Sequence, residues 1–251
     1  MIFDRPPVVI GHRGLGSGEV LPAGTDVPVA ENTLESMLAA AAAGLTWIEI
    51  DVTRTADDEL VLRHDPTGTD GAFLIEGTAA ASGLPRLADI FDALPPEIAV
   101  DVDVKTILED AVDAPSRRTG ALLLPLLARE ARRRELLVTS FDPSLLTFLR
   151  DELPQVPVGL LTWLRFPMWH AVPAAAGLGF QAVAVHTATC GFEHPDTRLR
   201  PLDQCVDAAH KADLEFMVWC PKADAARDYA AAGVDAMVVN EVPGVLKALA
   251  D

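Results

Sequence analysis

Basic residues are scarce in this chain. Twenty Lys and Arg face 37 Asp and Glu, which leaves a formal net charge of −17. A surface of that sign repels phosphate backbones and anionic lipid, so no nucleic-acid partner is expected. An anionic small molecule stays compatible, because a bound cation can invert the local sign. Cysteine is equally sparse: Cys190, Cys205 and Cys220 are widely spaced, with no CxxC pair. That argues against a disulfide framework and for reduced thiols packed as small hydrophobes. The N-terminus MIFDRPPVVIGHRG lacks the charged-then-apolar pattern of an export signal. No apolar stretch approaches the ~18 residues that a transmembrane segment needs. A soluble, cytoplasmic protein is the expectation.

Hydrophobic residues, by contrast, make up 50% of the 251 positions, enough for a sizeable core. Short β-rich runs recur: VVIG from Val8, TWIEIDV from Thr46, EIAVDVDVK from Glu97 and LLVTS from Leu136. VPVGLL from Val156, QAVAVH from Gln181, EFMVWC from Glu215 and DAMVVN from Asp235 follow. ELVLRHD from Glu59 reads as an extra short strand of the second unit. Helical patterns alternate with these runs. NTLESMLAAAAAG places Asn32 three residues before Glu35, a capping-box spacing, and Gly44 in C-terminal cap position. Asp142 followed by Pro143 is an N-cap and first-turn pair. The fifth unit, LTWLRFPMWHAVPAAAGLG, is expected to make a poor helix, since two prolines interrupt it. Eight strand–helix units in this length predict a closed parallel (β/α)₈ TIM barrel. No linker or composition break divides residues 1–251, so a single domain without a large insertion is expected.

In such a barrel, chemistry gathers at the C-terminal ends of the strands. His12 and Arg13, Glu49 and Asp51, His64 and Asp65, and Asp103 and Lys105 all fall there. So do Ser140, His186, Trp219 and Asn240. In WIEIDV, Glu49 and Asp51 are two apart and point to one face, while Ile48, Ile50 and Val52 point to the other. EIAVDVDVK repeats this with Asp101, Asp103 and Lys105 against Val100, Val102 and Val104. Converging carboxylates repel and need a cation, a shared proton or basic partners. Hard oxygen donors of this kind suit Mg²⁺ or Ca²⁺. Asp103 is the better ligand candidate, and Asp101 is expected to lie deeper, held by Lys105 or an arginine. His12 and His64 beside the cluster could act as general acid and base. GHRGLGSG lacks the strand–turn–helix context of a dinucleotide site, so no such cofactor is expected.

These motifs together resemble the glycerophosphodiester phosphodiesterase family. HRG follows the first strand, AENT opens the first helix, and EIDV, LRHD and DVK follow in order. Ser140–Phe141, Val218–Trp219 and GVDAMVVNEVP complete a likeness that spans almost the whole chain. The resemblance implies a TIM barrel that hydrolyses glycerophosphodiesters to glycerol 3-phosphate and an alcohol with a divalent cation. It implies metal binding by Glu49, Asp51 and Asp103, and acid–base catalysis by His12 and His64. Arg13 and Lys105 would hold phosphate oxygens, and Trp219 would line the glycerol side. His186, at the end of the sixth strand, is a further candidate substrate contact. The chain departs from the family pattern at Ala30, where proline is usual, at Asp103, where glutamate is usual, and at Asn240, where aspartate is usual. Residues Cys220, Pro221 and Lys222 replace the usual polar residues after Trp219.

Two alternatives keep the same fold. One is a lysophospholipase D-like phosphodiesterase, supported by the aromatic segment TWLRFPMWH. The other is a catalytically weak phosphodiester-binding barrel, should Asp103 fail to complete a metal shell. The aromatic segment is otherwise expected to be core beneath an irregular helix, or a homodimer patch.

Overall fold

The computed structural model describes residues 1–190 and 199–250. Eight parallel strands close into a barrel: β1 Val8–Gly11, β2 Trp47–Arg54, β3 Ala99–Val104 and β4 Leu136–Ser140, then β5 Val158–Leu161, β6 Ala182–His186, β7 Glu215–Trp219 and β8 Ala236–Val239. Each pairs with its neighbour, and β1 pairs with both β8 and β2, which closes the ring. A ninth strand, Leu60–Leu62, returns antiparallel along the end of β2, with Val52 opposite Leu62. This is the extra strand expected from ELVLRHD. A two-stranded ribbon, Glu19–Val20 with Val29–Ala30, lies outside the barrel sheet. Among the described residues, no helix is long and apolar enough to cross a membrane.

The two faces of the strands make two cores. Outward residues such as Ile48, Ile50, Val100, Val102, Val183 and Val218 pack under the helices in one large cluster. Inward residues form a smaller one: Ile10, Trp47, Ala99, Leu137, Leu161, Ala184, Met217 and Val238 fill the barrel. Phe3 plugs its lower end, edge-on to Trp47 with ring centroids 5.3 Å apart. Because side chains alternate at period two, several inward columns continue upward into polar groups. Ile10 leads to His12, Trp47 to Glu49 and Asp51, Ala99 to Asp101 and Asp103, and Val238 to Asn240. An apolar floor with a polar rim follows from the strand period alone.

Two local expectations fail. The helix Leu34–Ala42 is capped by Thr33, whose hydroxyl accepts from Ser36 N–H, and not by Asn32. Asn32 is instead left-handed, with φ 56°, and its amide is engaged by Asp51. The C-terminal end behaves as expected, with Gly44 left-handed at φ 98°. The fifth unit does carry a regular helix, Met168–Gly177. Pro167 sits at its N-cap, where a missing N–H costs nothing, so only Pro173 interrupts the hydrogen bonding.

Candidate active site

Neighbouring columns bring the acids into register. Glu49 lies opposite Asp101, and Asp51 opposite Asp103. Glu49, Asp51 and Asp103 are buried, and each offers an oxygen within 4.8 Å of the others. Arg13 N–H donates to Glu49 Oε2 at 2.8 Å. Asn32 grips Asp51 twice: its Nδ2 donates to Oδ2 at 2.9 Å, and its Oδ1 accepts from Asp51 N–H at 3.1 Å. Arg13 Nε lies 2.9 Å from Asp51 Oδ2 and Lys105 Nζ 2.9 Å from Asp51 Oδ1, both ion pairs without hydrogen-bond alignment. Lys105 also donates to Asp103 Oδ2. Arg13 Nη1 donates to both oxygens of Glu31, at 2.8 and 2.9 Å. Asp101 lies deeper, as expected, but its donor is Thr139 Oγ1 at 2.9 Å rather than Lys105 or an arginine. The reason is register: Thr139 stands opposite Asp103 on β4 and points down the same interior column.

Four buried carboxylates thus share the rim with two cations. Burial, with Asp51 and Asp103 close by, holds the Glu49 carboxyl well above its ordinary range. Burial and Glu49 do the same to Asp101. Burial also raises Asp103, against the pull of Lys105. Asp51 is lowered, because Lys105 and Arg13 together outweigh its burial. Glu49 Oε1 and Asp103 Oδ1 are buried and accept no hydrogen bond. Two such open oxygens, with the adjacent Asp51 carboxylate beside them, fit a divalent cation.

A cavity of about 580 Å³ opens above this cluster. Both histidines line it. His12 Nδ1 contacts Asn240 Oδ1 at 2.5 Å, and its Nε2 faces Glu49 Oε2 at 3.8 Å. His64 is exposed, its Nδ1 paired with Asp65 Oδ1 at 2.8 Å. The return strand delivers it there, since Arg63 N–H donates to Asp51 O at 3.2 Å. Trp219 and His186 form the opposite wall, with ring centroids 4.4 Å apart. Of the strand-end residues singled out from the sequence, all but Asp51 and Ser140 line this cavity. Asp51 lies beneath it within the carboxylate cluster, and Ser140 is buried, its hydroxyl donating to Val104 O at 2.7 Å.

The profile of the Glycerophosphoryl diester phosphodiesterase family matches residues 12–79 and 70–243. The chain belongs to that family. A glycerophosphocholine phosphodiesterase of Schizosaccharomyces pombe is 44% identical over 66 residues, a stretch covering 25% of this chain and 6% of that protein. The chain therefore matches only a small part of the curated relatives' length. Among solved structures, a glycerophosphodiester phosphodiesterase from Parabacteroides distasonis shares 21% identity over 97% of both chains, with a TM-score of 0.74. An Oleispira antarctica phosphodiesterase, in complex with the product sn-glycerol-3-phosphate, shares 20% identity over 98% of this chain and 97% of that one, at 0.75. These likenesses establish the TIM-barrel fold.

Three sets of contacts in this family member were not legible in the sequence. Glu31 and Asn32 hold Arg13 and Asp51, and their signal was the AENT motif, read only as a helix start. Asn240 meets His12 directly. Phe141 stacks on Trp163 with centroids 4.3 Å apart and stands edge-on to Trp219 at 6.1 Å, so the aromatic wall crosses three strands. The expectation that Trp163 is core fails: it is 65% exposed and Leu164 59%, and both line the cavity. They leave β5 on a loop above the rim, beyond the reach of the barrel floor and the helix layer. Cys190 and Cys205 are buried as expected, whereas Cys220 is half-buried at the cavity edge.

Proposed function

We propose that the protein hydrolyses glycerophosphodiesters to glycerol 3-phosphate and an alcohol. One observation carries this reading: buried carboxylates with unpartnered oxygens converge beneath a cavity that His12 and His64 both line. Glu49, Asp51 and Asp103 would hold a divalent cation, Mg²⁺ or Ca²⁺ by their all-oxygen donor set. When bound, such an ion supplies Lewis-acid stabilisation of charge on phosphoryl oxygens.

The chain's own residues supply the rest. Arg13 and Lys105 set positive charge beside the non-bridging oxygens, where it stabilises the more highly charged transition state more than the substrate. Their orientation is fixed before substrate arrives, Arg13 by Glu31 and Asp51, Lys105 by Asp51 and Asp103. One histidine takes the proton of the nucleophile, the other gives a proton to the leaving oxygen. That nucleophile is the glycerol 2-hydroxyl, with later opening of a cyclic ester by water, or water itself. Trp219 lines the glycerol side, with His186 edge-on beside it.

Colorimetric release of glycerol 3-phosphate from glycerophosphocholine tests the proposal. Turnover should vanish with chelator and return with Mg²⁺ or Ca²⁺. Absence of turnover on any glycerophosphodiester, with tight binding of phosphate esters, would refute it in favour of a binding barrel. A second reading, lysophospholipid as substrate, is favoured by the exposed Trp163 and Leu164 at the cavity edge. A higher kcat/KM on lysophosphatidylcholine than on glycerophosphocholine would establish it.

A further inference from the structure

Only one of the two ring nitrogens of His12 can serve as a proton acceptor in the neutral ring, and its neighbours decide which. Nδ1 lies 2.5 Å from Asn240 Oδ1. Cys220 Sγ donates to the same oxygen at 3.4 Å. An amide oxygen accepts and cannot donate, so the short contact is a hydrogen bond only if Nδ1 carries the proton. A bare Nδ1 at that distance would set lone pair against lone pair. With Nδ1 protonated, the lone pair of the neutral ring resides on Nε2, on the side of Glu49 and the cavity.

We infer that Asn240 is a positioning residue: its amide oxygen locks His12 in the Nδ1–H tautomer, so that Nε2 enters the reaction as the proton acceptor. The role given to His12 rests on the proposed hydrolysis. The tautomer itself does not. His64, held through its own Nδ1 by Asp65, is then the donor to the leaving oxygen. The nucleophile's proton passes to His12 Nε2 as the new phosphorus–oxygen bond forms. A proton on His64 Nε2, with Nδ1–H kept on Asp65, passes to the departing oxygen as the old bond breaks.

The amide does not drift, because the chain is laced on both sides of it. His12 N–H donates to Val239 O at 3.1 Å, Ser17 N–H to Asn240 O at 3.1 Å, and Cys220 N–H to Val238 O at 2.9 Å. The loop after β1 passes so close that a Cβ on Gly16 would stand 2.1 Å from Asn240 O. An amide turned the other way would press its Nδ2 protons on Nδ1 and demand the opposite tautomer, with Nε2–H toward Glu49. That state is the one the experiment must separate.

Long-range proton–nitrogen correlation spectra of the ¹⁵N-histidine-labelled, chelator-treated protein separate the two tautomers directly. The native chain and Asn240→Asp should both show His12 protonated at Nδ1. Asn240→Leu, which removes the acceptor, should spread the ring over both tautomers. In turnover, Asn240→Leu should lower kcat about 10- to 100-fold with KM little changed, as loss of an orienting partner does elsewhere. Asn240→Asp should restore most of it. A native His12 protonated at Nε2 overturns the inference without any variant. So does an Asn240→Leu chain that keeps the native tautomer, or equal loss of kcat in the Leu and Asp variants. The spectra need no turnover, so a failure of the hydrolysis reading stays distinct from a failure of this one.

Discussion

Replacing Glu49 by Gln should act in opposite directions on the metal-free and metal-loaded protein. The Glu49, Asp51 and Asp103 oxygens lie within 4.8 Å of one another, where each fully charged pair repels by about 3.5 kcal/mol at an effective dielectric near ~20. Two such neighbours, with burial, push Glu49 toward keeping its proton, against the pull of Lys105. Gln is the near-isostere of that protonated form, and its Oε1 can still accept from Arg13 N–H. The chelated variant should therefore match the chelated parent to within about 1 kcal/mol. The loaded state behaves otherwise. At a cation concentration of ~100 Kd the parent gains about 2.7 kcal/mol. For a chain of this length that is a melting shift of about 5–11 °C. Loss of a direct carboxylate should weaken binding at least as much as the upper ~100-fold known for outer partners. At the same cation concentration the variant then gains only about 0.4 kcal/mol, or about 1–2 °C. Scanning calorimetry with EDTA, Mg²⁺ and Ca²⁺ reads both terms. A variant with the parent's full cation shift would remove Glu49 from the ligand set. A chelated variant several kcal/mol less stable would refute the protonated state assigned to it.

Three further outcomes follow from the same geometry. His12→Ala and His64→Ala should each cost at least the ~10²–10⁴-fold typical of one proton-transfer group, because the pair acts together; a rate near the parent's in either variant overturns the assignment. Trp163→Ala should leave kcat/KM on glycerophosphocholine within a few-fold but lower it more on substrates with an apolar alcohol, and equal losses on both would place the Phe141–Trp163 stack outside the alcohol side. In EDTA, stability should fall as pH rises above about 4, where the unfolded carboxylates ionise while Glu49 and Asp101 still hold protons in the fold. Asp51, lowered in the fold, contributes the opposite slope, lost as pH falls below that point. Melting temperatures across this range, shallower in the Glu49→Gln chain, check the sign, and a chelated protein that gains stability between pH 5 and 8 contradicts it.

The barrel was legible because the eight strands carry their two faces in the sequence. Period two separates Ile48, Ile50 and Val52 from Glu49 and Asp51, and the structure keeps that division. The same alternation places Asp103 beside Asp51, so the carboxylate cluster was also readable. What was hidden depends on partners far away in sequence. Asn32 has the spacing of a helix cap, yet Asp51, nineteen positions on, claims its amide and leaves Thr33 to cap. Thr139 supplies the donor to Asp101 through strand register, which no local pattern encodes. Pro173 was read as a breaker, although a helix with enough buried apolar contacts tolerates one lost hydrogen bond. Trp163 was read as core because its neighbours are hydrophobic, a composition that does not distinguish a packed helix from the edge of a cavity.

The return strand Leu60–Leu62 has an implication for how such an enzyme can be assembled. Three positions of the proposed site, Glu49, Asp51 and His64, sit on one hairpin, and the pairing of Val52 with Leu62 sets their spacing. Their mutual geometry is thus a local property of sixteen consecutive residues, formed without long loop closure. The hairpin can be regarded as a transplantable cassette, whose tip between Arg54 and Leu60 could accept inserted chain while its stem could not lose or gain one residue without turning His64 away from the acids.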